Sequence, residues 1–130
     1  MKKIITMCVI VVLIAGFATI DLVFTTRFYS NTLDNLQVAA LSIADNQKNL
    51  TNADTIAKIY KANDEWEKGK NRLTMLVNHN VVRQMDEKFV SLIAQIETNN
   101  YLDAMITVKA LISQVKDLRE ENYPLLRNIL

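Results

Sequence analysis

The stretch Ile4-Ile5-Thr6-Met7-Cys8-Val9-Ile10-Val11-Val12-Leu13-Ile14-Ala15-Gly16-Phe17-Ala18-Thr19-Ile20-Asp21-Leu22-Val23-Phe24 is one near-continuous apolar run directly behind Lys2 and Lys3. An α-helix of this length rises 1.5 Å per residue and spans roughly 30 Å, the thickness of a bilayer's hydrocarbon core. A lipid bilayer along residues 4–24 is therefore the first partner the sequence implies. The chain divides into an anchor, residues 1–27, and a domain, residues 28–130. Positive charge is in excess on the N-terminal flank, with Lys2, Lys3 and the amino terminus before the run and Asp21 and Arg27 after it. That asymmetry orients a single-pass protein with its N-terminus cytoplasmic and residues from about 28 onward extracytoplasmic, in the cell membrane.

A cleaved signal peptide competes with the anchor, because Gly16-Phe17-Ala18 has the small-x-small pattern of a cleavage site after Ala18. Against cleavage, the apolar character continues through Thr19, Ile20, Leu22, Val23 and Phe24. Asp21 lies close to the outer end, where its carboxylate can reach the headgroups. Phe24, Phe28 and Tyr29 around Arg27 have the composition of an interfacial aromatic belt. Cys8 is the only cysteine. It sits inside the run after Met7, without the small residues that precede a lipid-modified cysteine, and reads as an apolar-facing thiol.

From Phe28 onward, 12 Lys and Arg stand against 13 Asp and Glu, with no run of like charge long enough to form a basic stripe or an acidic tail. Such a near-neutral domain lacks the basic stripe that phosphate backbones require, and no nucleic-acid partner is expected. The whole 130-residue chain holds 2 Gly and 1 Pro. So few breakers, with abundant Leu, Ile, Ala, Lys and Asn, point to an all-α fold.

Leu33, Leu36, Ala40, Ile43 and Ala44 recur at three- and four-residue steps, the stripe of an amphipathic helix continuing from the anchor. Asn46 to Leu50 is a polar turn, within which Asn49-Leu50-Thr51 marks a surface loop. Thr51 or Asn52 can cap a second helix carrying Ile56, Ile59, Tyr60, Trp66, Leu73, Leu76 and Val77. Ile59, Trp66 and Leu73 are heptad-spaced, with Asn63 and Lys70 on the same stripe, and Gly69 is expected to weaken the helix locally. Trp66 is the largest side chain of the domain and reads as a core anchor or, alternatively, a ligand platform. His79, the only histidine, falls at a corner between helices as a capping or turn group. No second histidine or cysteine stands at ligand spacing beside it. Val82, Met85, Phe89, Leu92, Ile93 and Ile96 form a third stripe. After a turn at Thr98-Asn99-Asn100, Tyr101, Ala104, Met105, Val108, Leu111, Ile112, Val115 and Leu118 form a fourth, which Pro124 is expected to stop near Asn122.

Short turns between such helices favour antiparallel neighbours, so the expected architecture is an N-terminal transmembrane helix followed by an up-down-up-down bundle. That alternation returns the apolar tail toward the membrane, and Leu125, Leu126, Ile129 and Leu130 are the candidate docking residues for lipid, for the bundle or for a membrane partner. Asp64, Glu65 and Glu67 beside Trp66 are interleaved with Lys61, Lys68 and Lys70, as on a solvated helix face. With no nucleophile and base, paired carboxylates or metal set in the sequence, neither an enzyme nor a cofactor is expected.

Trp66 in the second helix, Asn78-His79-Asn80 after it, and the closing Leu125-Leu126-Arg127-Asn128-Ile129-Leu130 together resemble a family of short single-pass membrane proteins of unknown function from clostridia and related Gram-positive spore formers. Asn78 stands where such relatives tend to carry Asp. The resemblance spans essentially the whole chain and implies a bacterial envelope protein without assigned activity or cofactor. It also implies a multi-pass membrane partner of the YetF-like family. The resulting expectation is a non-enzymatic accessory or interaction subunit. A ligand-sensing module signalling through a partner, or a secreted bundle after cleavage, are the alternatives.

Overall fold

The computed structural model describes residues 1–73 and 79–129, with side chains for residues 1–20, 22–71 and 79–120. It is all-helical: α1 spans Lys2–Asp45, α2 Ala53–Leu73, α3 His79–Glu97 and α4 Tyr101–Ile129, with no strand among the described residues. The 44 residues of α1 make a rod about 66 Å long. No Gly or Pro interrupts it between Phe17 and Asp45, and the helix passes from the apolar run into the amphipathic stripe without a break. Residues 1–20 are exposed throughout, whereas Phe28, Tyr29, Leu36, Ala39 and Ile43 are buried. α1 is thus long and apolar enough at one end to cross a membrane, and is a core helix at the other.

Each helix packs against two others. α1 lies on α2 and α4, and α3 lies on the same pair, most sparsely on α2. Buried positions step by alternating threes and fours. They run Tyr29, Thr32, Leu36, Ala39, Ile43 on α1; Thr55, Ile59, Ala62, Trp66, Gly69 on α2; Val82, Met85, Phe89, Leu92, Ile96 on α3; and Ala104, Val108, Leu111, Val115, Leu118 on α4. This 3.5-residue period is the seam of coiled-coil packing, in which each side chain enters a hole between four others.

On α2 the seam differs from the sequence expectation. Its second column is the small set Thr55, Ala62 and Gly69, while Asn63 and Lys70 flank it, half-buried. Tyr60 is exposed, its hydroxyl donating to Glu97 Oε1 at 3.1 Å. Small side chains let α1 approach closely: Ser42 and Thr55 share a buried hydroxyl–hydroxyl bond of 2.8 Å. Gly69 does not interrupt α2; it is buried beneath the Phe28 ring, which a Cβ at that position would overlap.

The two described turns are built by asparagines. The Asn46 amide donates to Ser42 O at 3.1 Å and its side chain to the same oxygen at 2.8 Å, closing α1. Asn52, one of the two expected caps, accepts from the Thr55 amide at 2.9 Å. Asn99 adopts φ 55°, with bonds from Asn100 N to Gln95 O (2.8 Å) and from Asn99 N to Ile96 O (3.1 Å), the Schellman ending of a helix. Its side chain also accepts from Leu50 N at 2.9 Å and donates to Lys48 O at 3.2 Å, tying the two turns together.

Pro124 does not stop α4, which continues to Ile129. An interior proline removes one backbone bond and crowds the carbonyl four residues back, at about 3 kcal/mol. Leu125 and Leu126, good helix formers, follow it.

Gly69→Ala is expected to destabilise the full-length protein by about 1–3 kcal/mol, because overpacking outweighs the gain of up to about 1 kcal/mol in helix propensity. In a Phe28→Leu background the same change should become neutral or stabilising. Urea unfolding in detergent, followed by the fluorescence of Trp66, checks both.

Candidate functional site

Trp66 is fully buried. Its ring lies tilted 5.6 Å from Phe28 of α1 and stacks 6.0 Å from Phe89 of α3, so one aromatic layer joins three helices. Phe28 in turn contacts Tyr29 at 6.0 Å and Phe24 at 6.3 Å. The indole N–H donates to Asp86 Oδ1 at 2.7 Å. The other Asp86 oxygen accepts from Lys70 Nζ at 3.2 Å, and Lys70 also pairs with Glu67 at 2.8 Å. Trp66 is thus a core anchor with a satisfied polar tip.

This charge relay holds Lys70 above its ordinary pKa, first through the hydrogen bond to Glu67 and then through Asp86, against the opposing effect of burial. The bond to Glu97 raises Tyr60 in the same direction, at the opposite end of α2.

Between α2 and α3 the polar end of this cluster opens into a notch of about 340 Å³, lined by Lys70, Asn71, His79, Asn80, Val82, Arg83 and Asp86. His79 is the first residue of α3 and is exposed. Trp66 and His79 therefore converge on one region, with Asp86 as the group that touches Trp66. Among the described residues no group of His, Cys, Asp and Glu is arranged to hold a metal ion. The Asp64–Glu65–Glu67 set does not converge: Glu65 pairs with Lys68 at 3.7 Å and Glu67 with Lys70.

Two further hollows flank α1. One, of about 580 Å³, lies between α1 and α4 and is lined by Gln37, Ala40, Leu41, Ala44, Tyr101, Met105, Lys109 and Ile112. Leu41 in this lining is 65% exposed, and on α4 the residues next to the lining's Tyr101 and Met105, Leu102 and Ile106, are 70% and 66% exposed, so α1 and α4 both carry exposed apolar side chains here. The other, of about 280 Å³, lies between α1 and α2, where Phe24, Arg27, Phe28, Asn31 and Thr32 face Glu65, Lys68 and Gly69. The candidate docking residues Leu125, Leu126 and Ile129 are in the last turns of α4. Their side chains, and Leu130 as a whole, lie outside the described residues.

A family model described as a domain of unknown function, DUF4363, matches residues 23–129. The chain belongs to this family. No curated protein and no solved structure matches it. The DUF4363 region begins at Val23, at the end of the apolar run. It contains the Trp66 layer, the α2–α3 notch, the apolar α1–α4 face and the α1–α2 groove.

Sequence reasoning named Trp66 and His79 but missed Asp86, Arg27, Thr32 and the Leu41–Ile106 face. Leu102 and Ile106 are one turn apart on the outer side of α4, and that off-stripe pair was a legible signal. Asp86 carries none, because its role depends on which face of α3 meets α2.

Asp86→Ala leaves the indole N–H without its acceptor and should cost about 1–3 kcal/mol, with Asp86→Asn costing less. Lys70 and Tyr60 both hold their protons more tightly folded than unfolded. Their contribution is complete below the ordinary values of 10.5 and 10.0 and is lost as pH rises through the higher folded-state values. Lys70→Met and Tyr60→Phe are each expected to flatten the loss of stability above about pH 10, read by urea titrations in that range.

Proposed function

We propose that this DUF4363 protein is a membrane-anchored, non-enzymatic helical bundle that serves as an accessory subunit of an integral membrane partner. The observation that carries the reading is the continuity of α1. Seventeen exposed residues, Ile4–Ile20, nearly all of them apolar or small, are covalently one helix with a buried seam. In water such a surface would be far larger than a soluble monomer tolerates, and a bilayer removes it. Lys2 and Lys3 before the run favour an N-terminus inside and a bundle outside the cell membrane.

In this reading the helices alternate in direction. Support comes from the pairing of Tyr60 with Glu97 and of Trp66 with Asp86 across α2 and α3, in which rising numbers on one helix meet falling numbers on the other. The outer part of α1, from Phe24 to Asp45, is about 33 Å long, and the 29 residues of α4 about 43 Å. An α4 starting beside the far turn therefore reaches some 10 Å past Phe24, at the level of the apolar segment. That brings Leu125, Leu126 and Ile129 to the membrane, where lipid or a spanning partner covers them. The apolar α1–α4 face supplies lateral contact area for a partner held beside the anchor.

A cysteine in place of Lys48 should react with a membrane-impermeant thiol reagent in intact spheroplasts, and the protein should resist alkaline carbonate extraction. Release into the medium as a chain beginning at Thr19 would instead establish the secreted bundle. Leu41→Glu with Ile106→Glu changes two exposed side chains and should alter stability by no more than about 0.5 kcal/mol each. It should abolish crosslinking to the membrane partner from a photoreactive group at Val38. Unchanged crosslinking to the same partner would rule out this face.

A further inference from the structure

We infer that the groove between α1 and α2 is a binding site for one anionic glycerophospholipid. Its phosphate would be held by Arg27, Lys68 and Thr32, and an acyl chain would run down α1 past Phe24. The inference rests on the anchored reading and adds a ligand to it. Two hollows meet at Phe24 and Arg27, which line both. The upper, of about 280 Å³, adds Asn31, Thr32 and the α2 residues Glu65, Lys68 and Gly69. The lower, of about 330 Å³, has Thr19, Ile20 and Val23 as the rest of its described lining. The upper is the more polar of the two and carries Asn31, Thr32, Glu65 and Lys68, and the division falls at the predicted outer edge of the hydrocarbon, in the order in which a phospholipid presents headgroup and chain.

The polar half has the chemistry of a phosphate site. Arg27 makes no ion pair among the described residues, and its guanidinium can meet two phosphate oxygens at once. Lys68 sits opposite on α2, 3.7 Å from Glu65, the one carboxylate on the rim. Thr32, which lines the same groove, is an independent observation. It is 1% exposed, and its hydroxyl has no hydrogen-bond partner. Thr6, Thr19 and Thr98 each return their hydroxyl to the carbonyl four residues back, at 2.8–2.9 Å, which Thr32 does not. A buried hydroxyl left without a partner is costly, and a phosphate oxygen in the groove would accept from it. Gly69 keeps this end of α2 free of a side chain where the Phe28 ring forms the wall.

The test uses the full-length protein in mild detergent, titrated with phosphatidylglycerol or phosphatidylcholine and read by native mass spectrometry. One phosphatidylglycerol should be retained about tenfold or more over phosphatidylcholine, as two interfacial cations would give. Arg27→Gln should lower its retention about fivefold, and Thr32→Val should lower it as well. Lys109→Gln on α4 should leave it unchanged. Thr32→Val is close to isosteric and removes the orphan hydroxyl, so its melting temperature without lipid should not fall. That separates loss of ligand from loss of fold. Equal retention of the two lipids, or insensitivity to both groove substitutions, overturns the inference. Displacement of phosphatidylglycerol by millimolar inorganic phosphate also overturns the lipid assignment, since the site would then read a free anion. Flotation with vesicles keeps the two levels apart. Protein that floats but retains the two lipids equally defeats this inference alone, and protein that fails to float defeats the anchor and the lipid site together.

Discussion

A single helix that must satisfy two solvents governs this structure. Over its first five turns α1 is apolar on every side, and over its last five it carries a one-sided stripe. Backbone hydrogen bonds run unbroken between the two halves, and the bundle inherits the axis of the segment below it. A hinge there would need a proline, a glycine pair or an inserted side chain, and residues 17–45 offer neither of the first two. Any force applied to the bundle therefore acts directly on the apolar segment, and any tilt of that segment reorients the bundle.

Around that fixed axis the other helices are sorted by side-chain volume. α2 presents Thr55, Ala62 and Gly69 in one column, and Ile59 and Trp66 in the next. The small column admits α1 to within reach of the Ser42–Thr55 bond at one end and of the Phe28–Gly69 contact at the other. Trp66 fills the space between α1 and α3, and its polar edge is met by Asp86. The largest residue of the domain thus lies in the half of α2 that faces the apolar run, where the aromatic layer of Phe28, Tyr29, Trp66 and Phe89 joins α1, α2 and α3. At the far end two turns are joined through the Asn99 side chain. The bundle is closed by packing at one end and by hydrogen bonds at the other.

Lys70 bridges Asp86 and Glu67, and Asp86 in turn accepts from the Trp66 indole N–H, so the charged residues that come together hold α2 and α3 in position. What the bundle leaves exposed is an apolar face on α1 and α4 and a cationic groove beside Phe24. Both border the helix that runs into the apolar segment.

The sequence by itself determined the helical class, the apolar run, the asparagine turns and most of the seam on α1, α3 and α4. Each of these is local: periodicity, capping and breaker content act within one or two turns. Only the tertiary structure decided which stripe of α2 points inward. Gly69, Ala62 and Thr55 emit no hydrophobic signal, and they are core positions because a ring or hydroxyl of α1 occupies the space they leave. The same holds for the end of α4, where Pro124 looked like a stop and the helix continues. It holds too for Trp66 with Asp86 and for Arg27 with Lys68, residues 20 and 41 positions apart. Such pairs are set by how helices pack, and no window along the chain contains that information.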